Sequence, residues 1–270
     1  MGNKTQKAAE KEPTLTTQTP ATEPVIPPVV PPTDPDPTPS PDEVKAETPK
    51  AVETPKREPF KVGIYILHYQ DDETTDRCVL SFQEQGIEGQ QIVVIDNGSE
   101  RPYMFLDESI FIVRMEENSP VVTAWNAGMV AFPAETYFLA NNDAFPAEHC
   151  LEKLIAALDD PSIGIVAPGT SDMTVGAMFV AFANADTPSI DLPDVDGHLW
   201  GWKHTLIERI GYPDCEGHTH VMCWGSNRDF CYRARQAGLR VVCVRSAYVH
   251  HEHEISYDRS EADAAGRAWL

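Results

Sequence analysis

Tyr137-Phe-Leu-Ala-Asn-Asn-Asp-Ala-Phe-Pro146 is the stretch on which the fold turns. Its first four residues are apolar and strand-like, and they end abruptly in Asn141-Asn142-Asp143. Open α/β sheets place ligand sites at the C-terminal ends of buried strands, where this run delivers two amides and a carboxylate. A carboxylate there suits a hard divalent cation such as Mg²⁺ or Mn²⁺, which takes oxygen ligands and often shares them with a substrate phosphate. Alone, the run also reads as an ordinary polar strand end, so its neighbours decide.

Working back from it, residues 62–69 form a continuous apolar run with β-branched members, and residues 91–96 form another, broken by the turn pair Asn97-Gly98. A shorter strand covers 110–113. Helices are expected over 71–85, capped by Asp71 or Asp72, and over 120–132, opened by Ser119-Pro120 and stopped before Pro133. Working forward, a helix over 147–158 leads to a strand over 163–167. Strand and helix therefore alternate, which predicts parallel strands with helices on both faces and right-handed crossovers. The second half is less regular. It reads as a strand over 177–182, a loop over 184–199, a helix over 202–210, a helix over 227–237 closed by Gly238, and a strand over 239–244.

No GxGxxG follows the first strand and no GxxxxGK[ST] occurs, so a dinucleotide-binding Rossmann domain is disfavoured and a P-loop NTPase is excluded. The first sixty residues hold 14 of the 23 prolines, and the first aromatic residue is Phe60. Such a segment cannot bury enough apolar surface to offset its ordering entropy, so residues 1–59 are expected to be a disordered or polyproline-II tether. A globular domain is expected over 60–258, with a tail over 259–270. Residues 61–270 carry 32 Asp and Glu against 14 Lys and Arg. That excess argues against nucleic acid and anionic lipid as partners, both of which call for clustered basic charge. No run of about 18 apolar residues is present, so no membrane span is expected. The six cysteines are scattered without a CxxC, as in reduced, buried thiols, and point to a cytoplasmic location.

In order, these pieces resemble the family 2 glycosyltransferases of the GT-A fold, a mixed, mainly parallel sheet flanked by helices in a single domain. Asp96-Asn-Gly-Ser99 resembles that family's nucleotide-binding start, and Asn126 in Ala124-Trp-Asn-Ala-Gly128 its Asn-x-Gly helix. Asn141-Asn-Asp143 stands where the family keeps a variant of its metal-binding Asp-x-Asp. Asp229-Phe-Cys-Tyr-Arg-Ala-Arg-Gln-Ala-Gly238 resembles its acidic catalytic helix, and His251, with Ser256 five residues on, its C-terminal metal-binding histidine. The resemblance runs from about residue 61 to residue 256. It implies a metal-dependent inverting transfer of a sugar from a UDP- or dTDP-sugar donor to a hydroxyl on a protein, glycan or lipid-linked acceptor. It also implies Mn²⁺ or Mg²⁺ on Asp143 and His251, acting as a Lewis acid on the departing diphosphate.

Other residues carry two readings each. Asp96 either accepts the N–H of a uracil or thymine, with Asn97 beside it, or caps the Asn97-Gly98 turn. His68 and Tyr69 either offer backbone contacts to the base or simply pack at a strand end. Asn142 is expected on the donor. His250, His251 and His253 could form a zinc site of their own, but on an extended segment His250 points away from the other two. Trp200, Trp202 and Trp224 are candidate acceptor platforms or core residues. Arg228, Arg233 and Arg235 could meet phosphate oxygens or pair within their helix. The family's Glu-Asp is replaced by Ser226-Asn227, neither of which can act as a general base. Asp229 is the first substitute, Asp214 or Glu216 the second. The other reading is a catalytically degenerate domain that binds a sugar nucleotide or glycan without turnover.

Overall fold

The computed structural model describes residues 58–170, 189–214 and 225–252. Nearly all of the expected tether, the expected tail and the expected strand over 177–182 lie outside the described residues.

The first half follows the alternation read from sequence. Strand β1 (Phe60–His68) leads to α1 (Asp72–Gln83), β2 (Gln90–Asp96), β3 (Phe111–Arg114), α2 (Val121–Ala131) and β4 (Ala134–Asn141). Strands β3, β2, β1 and β4 lie side by side in that order, all parallel. Side chains alternate across a strand, and both faces here are covered. Ile64, Ile66, Val94 and Phe138 pack against Cys78, Val79 and Phe82 of α1. Tyr65, Val93, Ile95 and Leu139 pack against Ala124, Trp125 and Met129 of α2. That double burial is why these strands read as unbroken apolar runs. Asp71 is the cap of α1, its Oδ1 accepting from Thr74 N at 3.1 Å. Gly128 lets α2 come close to β2, since a Cβ there would stand 2.8 Å from Ile95 Cγ1.

The second half differs from expectation. After β5 (Ala144–Pro146), α3 (Cys150–Ala157) and β6 (Ile163–Thr170) come the two-residue β7 (Ile190–Asp191) and β8 (Leu199–Lys203). Residues 200–203, expected at a loop end and helix start, are thus strand, and the helix α4 (His204–Ile210) begins later. Strand β8 runs antiparallel between β4 and β6, pairing Tyr137 with Trp202, Phe138 with Gly201 and Leu139 with Trp200. Helix α5 (Ser226–Gln236) precedes β9 (Arg240–His251), which runs parallel to β6 and antiparallel to β5 and β7. Among the described residues the result is one mixed nine-stranded sheet flanked by helices. The four described cysteines, Cys78, Cys150, Cys231 and Cys243, are free and buried, and burial pushes the thiols of Cys150, Cys231 and Cys243 up to about 12.

Glycine in a strand interior marks a close approach. A Cβ on Gly201 would meet the Phe138 ring and stand 2.6 Å from the Tyr137 carbonyl oxygen. Gly201→Ala should therefore destabilise the fold by about 1–3 kcal/mol, as overpacking does. Urea unfolding followed by circular dichroism would show it as a lower midpoint at unchanged slope.

Candidate active site at the C-terminal ends of the parallel strands

Chain direction reverses its walk across the sheet at β1, with β2 on one side and β4 on the other. Ligands of open α/β sheets sit in the crevice at that switch point. His68, Asp96 and Asn141 end the three strands there.

The first group is a turn bracket. Asp96 is fully buried, and both of its oxygens are engaged by the protein. Oδ1 accepts from Ser99 N at 3.0 Å, and Oδ2 accepts from Tyr103 N at 3.0 Å and from the Arg114 guanidinium. Burial opposes ionisation of this carboxyl, yet the hydrogen bonds from Tyr103 and Ser99 and the Arg114 charge outweigh it and hold its pKa below the usual aspartate value. Asn97 is occupied too. Its Nδ2 donates to Asn118 Oδ1 at 2.9 Å and to Ser119 O at 2.8 Å, and its Oδ1 accepts from Ser119 N at 3.0 Å. Of the two readings of Asp96, the geometry displays the turn cap.

The second group joins β1, α1 and β4. Thr75 Oγ1 donates to Asp71 O at 2.8 Å and receives Asn142 Nδ2 at 3.1 Å. Its one proton is then spent, so His68 Nδ1, 2.8 Å away, must be the donor of that pair. His68 is fully buried beneath the Tyr103 ring, and desolvation lowers its pKa despite nearby carboxylates. Its carbonyl accepts from Asn97 N, and the carbonyl of half-buried Tyr69 accepts from Asp71 N, each at 2.9 Å. Asn126 lies apart from these, donating to Pro213 O at 2.7 Å.

The third group is the corner itself. The β5–β9 register sets Ala144 opposite His251, and Glu252 N donates to Asp143 O at 3.1 Å. Those backbone bonds bring Asp143 Oδ1 to 3.1 Å from His251 Nε2. Oδ1 is buried and accepts no hydrogen bond. Two ligands at adjacent octahedral positions, each about 2.1 Å from a metal, stand about 3 Å apart. The pair therefore fits one edge of an Mn²⁺ or Mg²⁺ shell. Among the described residues no three histidine, cysteine or carboxylate side chains could hold a metal by themselves. His250 turns outward, more than half exposed, and His253 lies outside the described residues.

Sequence reasoning missed Asp196 and His198, which lay in a segment read as loop. Because β8 is antiparallel to β4, its start meets the end of β4, and Asn141 N donates to His198 O at 2.9 Å. The His198 ring, 3% exposed, stacks on His251 with centroids 4.7 Å apart. Its Nδ1 is 3.6 Å from Asp196 Oδ1, which also accepts from Gly197 N at 2.7 Å. Burial raises the Asp196 pKa, but attraction to His198 and His251 wins and holds it at about 2. The signal that could have exposed the pair was the aromatic Leu199-Trp-Gly-Trp202, a strand-forming run directly after Asp196-Gly-His198.

Trp200, Trp202 and Asp229 are packed or paired within the protein. Trp200 and Trp202 are 1% and 0% exposed and pack with Tyr137, Trp125 and Phe230, so neither offers a face to an acceptor. Trp224 lies outside the described residues. Asp229, in the first turn of α5, is held by Arg233 Nε at 2.7 Å, and the same guanidinium reaches Ile210 O, Tyr212 O and Asp214. Arg233 thus spans helix and loop rather than meeting phosphate. Arg228 is 3.9 Å from Asp194, and Arg235 lies over the Tyr232 ring.

With this geometry established, the chain can be compared with known proteins. The model of the family described as glycosyl transferase family 2 matches residues 64–210. This chain belongs to glycosyl transferase family 2. The chain is 24% identical over 182 residues to the pre-mycofactocin glycosyltransferases of two Mycobacterium tuberculosis strains, CDC 1551 / Oshkosh and ATCC 25618 / H37Rv. The match covers 62% of this chain and 38% of those curated relatives, so the chain spans well under half of their length. Among solved structures, GalNAc-T7 with UDP, GalNAc and Mn²⁺ superposes at a TM-score of 0.60 with 16% identity, over 74% of this chain and 45% of that one. The mannosyltransferase PcManGT from Pyrobaculum calidifontis, in complex with GDP-Man and Mn²⁺, gives 0.54 with 18% identity, over 75% and 59%. These likenesses establish the GT-A fold. Among the described residues no helix is long and apolar enough to cross a membrane.

The Asp96 bracket can be tested by pH. Its folded pKa is depressed, so its stabilisation is complete above the unfolded value, about 3.9, and is lost as pH falls through the folded value. Asp96→Asn should cost on the order of 1–3 kcal/mol at pH 7. The gap to wild type should close as pH drops below about 4, read as converging melting temperatures.

Proposed function

We propose that this protein is a metal-dependent, inverting glycosyltransferase that moves a sugar from a UDP- or dTDP-sugar to a hydroxyl acceptor on a protein, glycan or lipid carrier. The observation that carries the reading is the 3.1 Å approach of Asp143 Oδ1 and His251 Nε2 at the end of a central strand. A carboxylate and an imidazole spaced as adjacent ligands leave the remaining positions to water and diphosphate, the usual arrangement for a nucleotide-bound Mg²⁺ or Mn²⁺. Both solved relatives described above were captured with Mn²⁺ and a nucleotide.

On this reading Asp143 and His251 hold the metal, which when bound would stabilise the charge on the departing diphosphate. Asn142, tied to Thr75, orients the loop between β4 and β5 toward the donor. The strand ends at His68, Tyr69, Asp96 and Asn97 form a rigid floor for the base, because most of their polar groups are already engaged by neighbouring turn and helix residues and do not reorganise on binding. Asn126, which donates to Pro213 O, would reach the donor only by leaving that bond.

The specific observation favouring the second reading, a binding domain without turnover, is the Arg233 guanidinium on Asp229. Asp229, the catalytic base expected from sequence, has its Oδ2 engaged by Arg233 Nε at 2.7 Å.

Thermal stabilisation by UDP, dTDP and GDP, each with MnCl₂, tests the donor site. Wild type should gain several degrees with one nucleotide and Mn²⁺ together, and little with either alone. Asp143→Ala and His251→Ala should each lose at least tenfold in affinity for the Mn²⁺–nucleotide pair by calorimetry. Unchanged affinity in both variants would sink the metal assignment.

A further inference from the structure

Backbone register brings Asp143 and His251 to one corner, but it does not choose the plane of the His251 ring. The torsion that turns an imidazole about its Cβ is broad. A metal bond lies in the ring plane, so a ring that turns loses its grip on the cation. One side chain lies flat against that plane. The His198 ring stacks on His251 with centroids 4.7 Å apart and planes 21° from parallel. His198 is itself held on several sides. It is buried, its carbonyl accepts from Asn141 N at 2.9 Å, and its Nδ1 faces Asp196 Oδ1 at 3.6 Å. Asp196 is set in turn by its own surroundings. Its Oδ1 accepts from Gly197 N at 2.7 Å, and Asn227 Nδ2 of α5 donates to Val195 O one residue earlier. His198 Nε2 is buried without a hydrogen-bond partner among the described residues, which costs stability, so packing alone would favour an apolar ring here. A nitrogen facing Asp196 gives the ring a fixed edge, and an apolar ring has none.

We infer that His198, oriented by Asp196, is a positioning residue that holds the His251 ring in the plane from which Nε2 reaches a cation shared with Asp143. The inference rests on the metal site proposed above. It adds no ligand to that site. His198 acts through His251, so its contribution exists only while His251 is present. Groups that orient a metal ligand from behind commonly change metal affinity by about 10–100-fold. The four side chains come from three segments: the approach to β8, the end of β9 and the turn between β4 and β5. Strand pairing sets the positions of these segments, and the two rings then fix the orientation of the ligand.

The test is a double-mutant cycle on the full chain: wild type, His198→Ala, His251→Ala and the two together. Affinity for UDP, dTDP and GDP is measured by calorimetry with and without MnCl₂, and folding by melting temperature. His198→Ala should lower affinity for nucleotide with MnCl₂ by about tenfold or more, and leave the weaker binding without MnCl₂ within about threefold of wild type. Where His251 is already alanine, His198→Ala should cost less than about twofold further. His198→Phe, which fills the space and keeps a stacked ring, should recover part of the loss, and it carries the same test should His198→Ala fail to fold. Wild-type affinity in His198→Ala with MnCl₂ overturns the inference. So do equal losses with and without MnCl₂, which mark general damage to the pocket. A full further loss in the His251→Ala background also overturns it, because His198 would then act on the ligand directly. His198→Phe binding no better than His198→Ala overturns the stack as the device. Wild type that needs both MnCl₂ and His251 but is indifferent to His198 leaves the metal site standing without the inference. Wild type that binds equally with and without MnCl₂ removes both.

Discussion

Strand β8 lies antiparallel against β4 with Gly201 over the Phe138 ring, and the open end of the sheet depends on that close approach. It buries Trp200 and Trp202, two of the largest side chains in the protein, between the sheet and α5. It also decides what stands at the end of β4. A parallel neighbour would have presented its own C-terminal end there. The antiparallel one presents its beginning, and so Asp196 and His198 arrive beside Asn141-Asn142-Asp143.

A second antiparallel pairing completes the corner. Strand β5 is three residues long, yet its register with β9 fixes Asp143 against His251 through backbone bonds rather than through the side chains themselves. The corner is also braced from α1, where the Arg77 guanidinium makes a two-bond pair with Glu252 and lies over the Phe145 ring. A site held by backbone register stays in place when its ligand leaves, which favours preorganised binding of a charged group. The surrounding polar residues are sorted by their partners. Asp96 and Asn97 are consumed in stiffening a turn, and Asp229 in tying a helix to a loop. Each spends its hydrogen-bonding capacity on shape.

The parallel half of the fold is legible in the sequence because its strands are buried on both faces and each is followed by a helix or a turn signal. Residues 62–69 and 91–96 could hardly be anything else, and observed β1 and β2 differ from them by one or two residues at the ends. The antiparallel half is harder to read for an equally physical reason. Strand β8 is five residues long and carries a glycine, and its aromatic pair fits a helix start or a ligand platform as readily as a strand. Misplacing that strand hid Asp196 and His198 and left Trp200 and Trp202 on a surface they do not occupy. Asp143 and His251 were named from the resemblance to the family, and the structure brings their side chains to 3.1 Å.

The sequence by itself determined the fold family, the crevice at the ends of the first, second and fourth strands, and the identity of the two metal-binding candidates. The crevice follows from apolar periodicity and strand ends, and the family and the two candidates from the order of the motifs and their resemblance to a known family. Only the tertiary structure decided which side chains meet Asp143 and which carboxylates pair with arginine. Asp229 and Asp196 are indistinguishable as letters. Folding brings Arg233 onto one and His198 onto the other, and no local pattern records a pairing made by strands and helices that meet only in space.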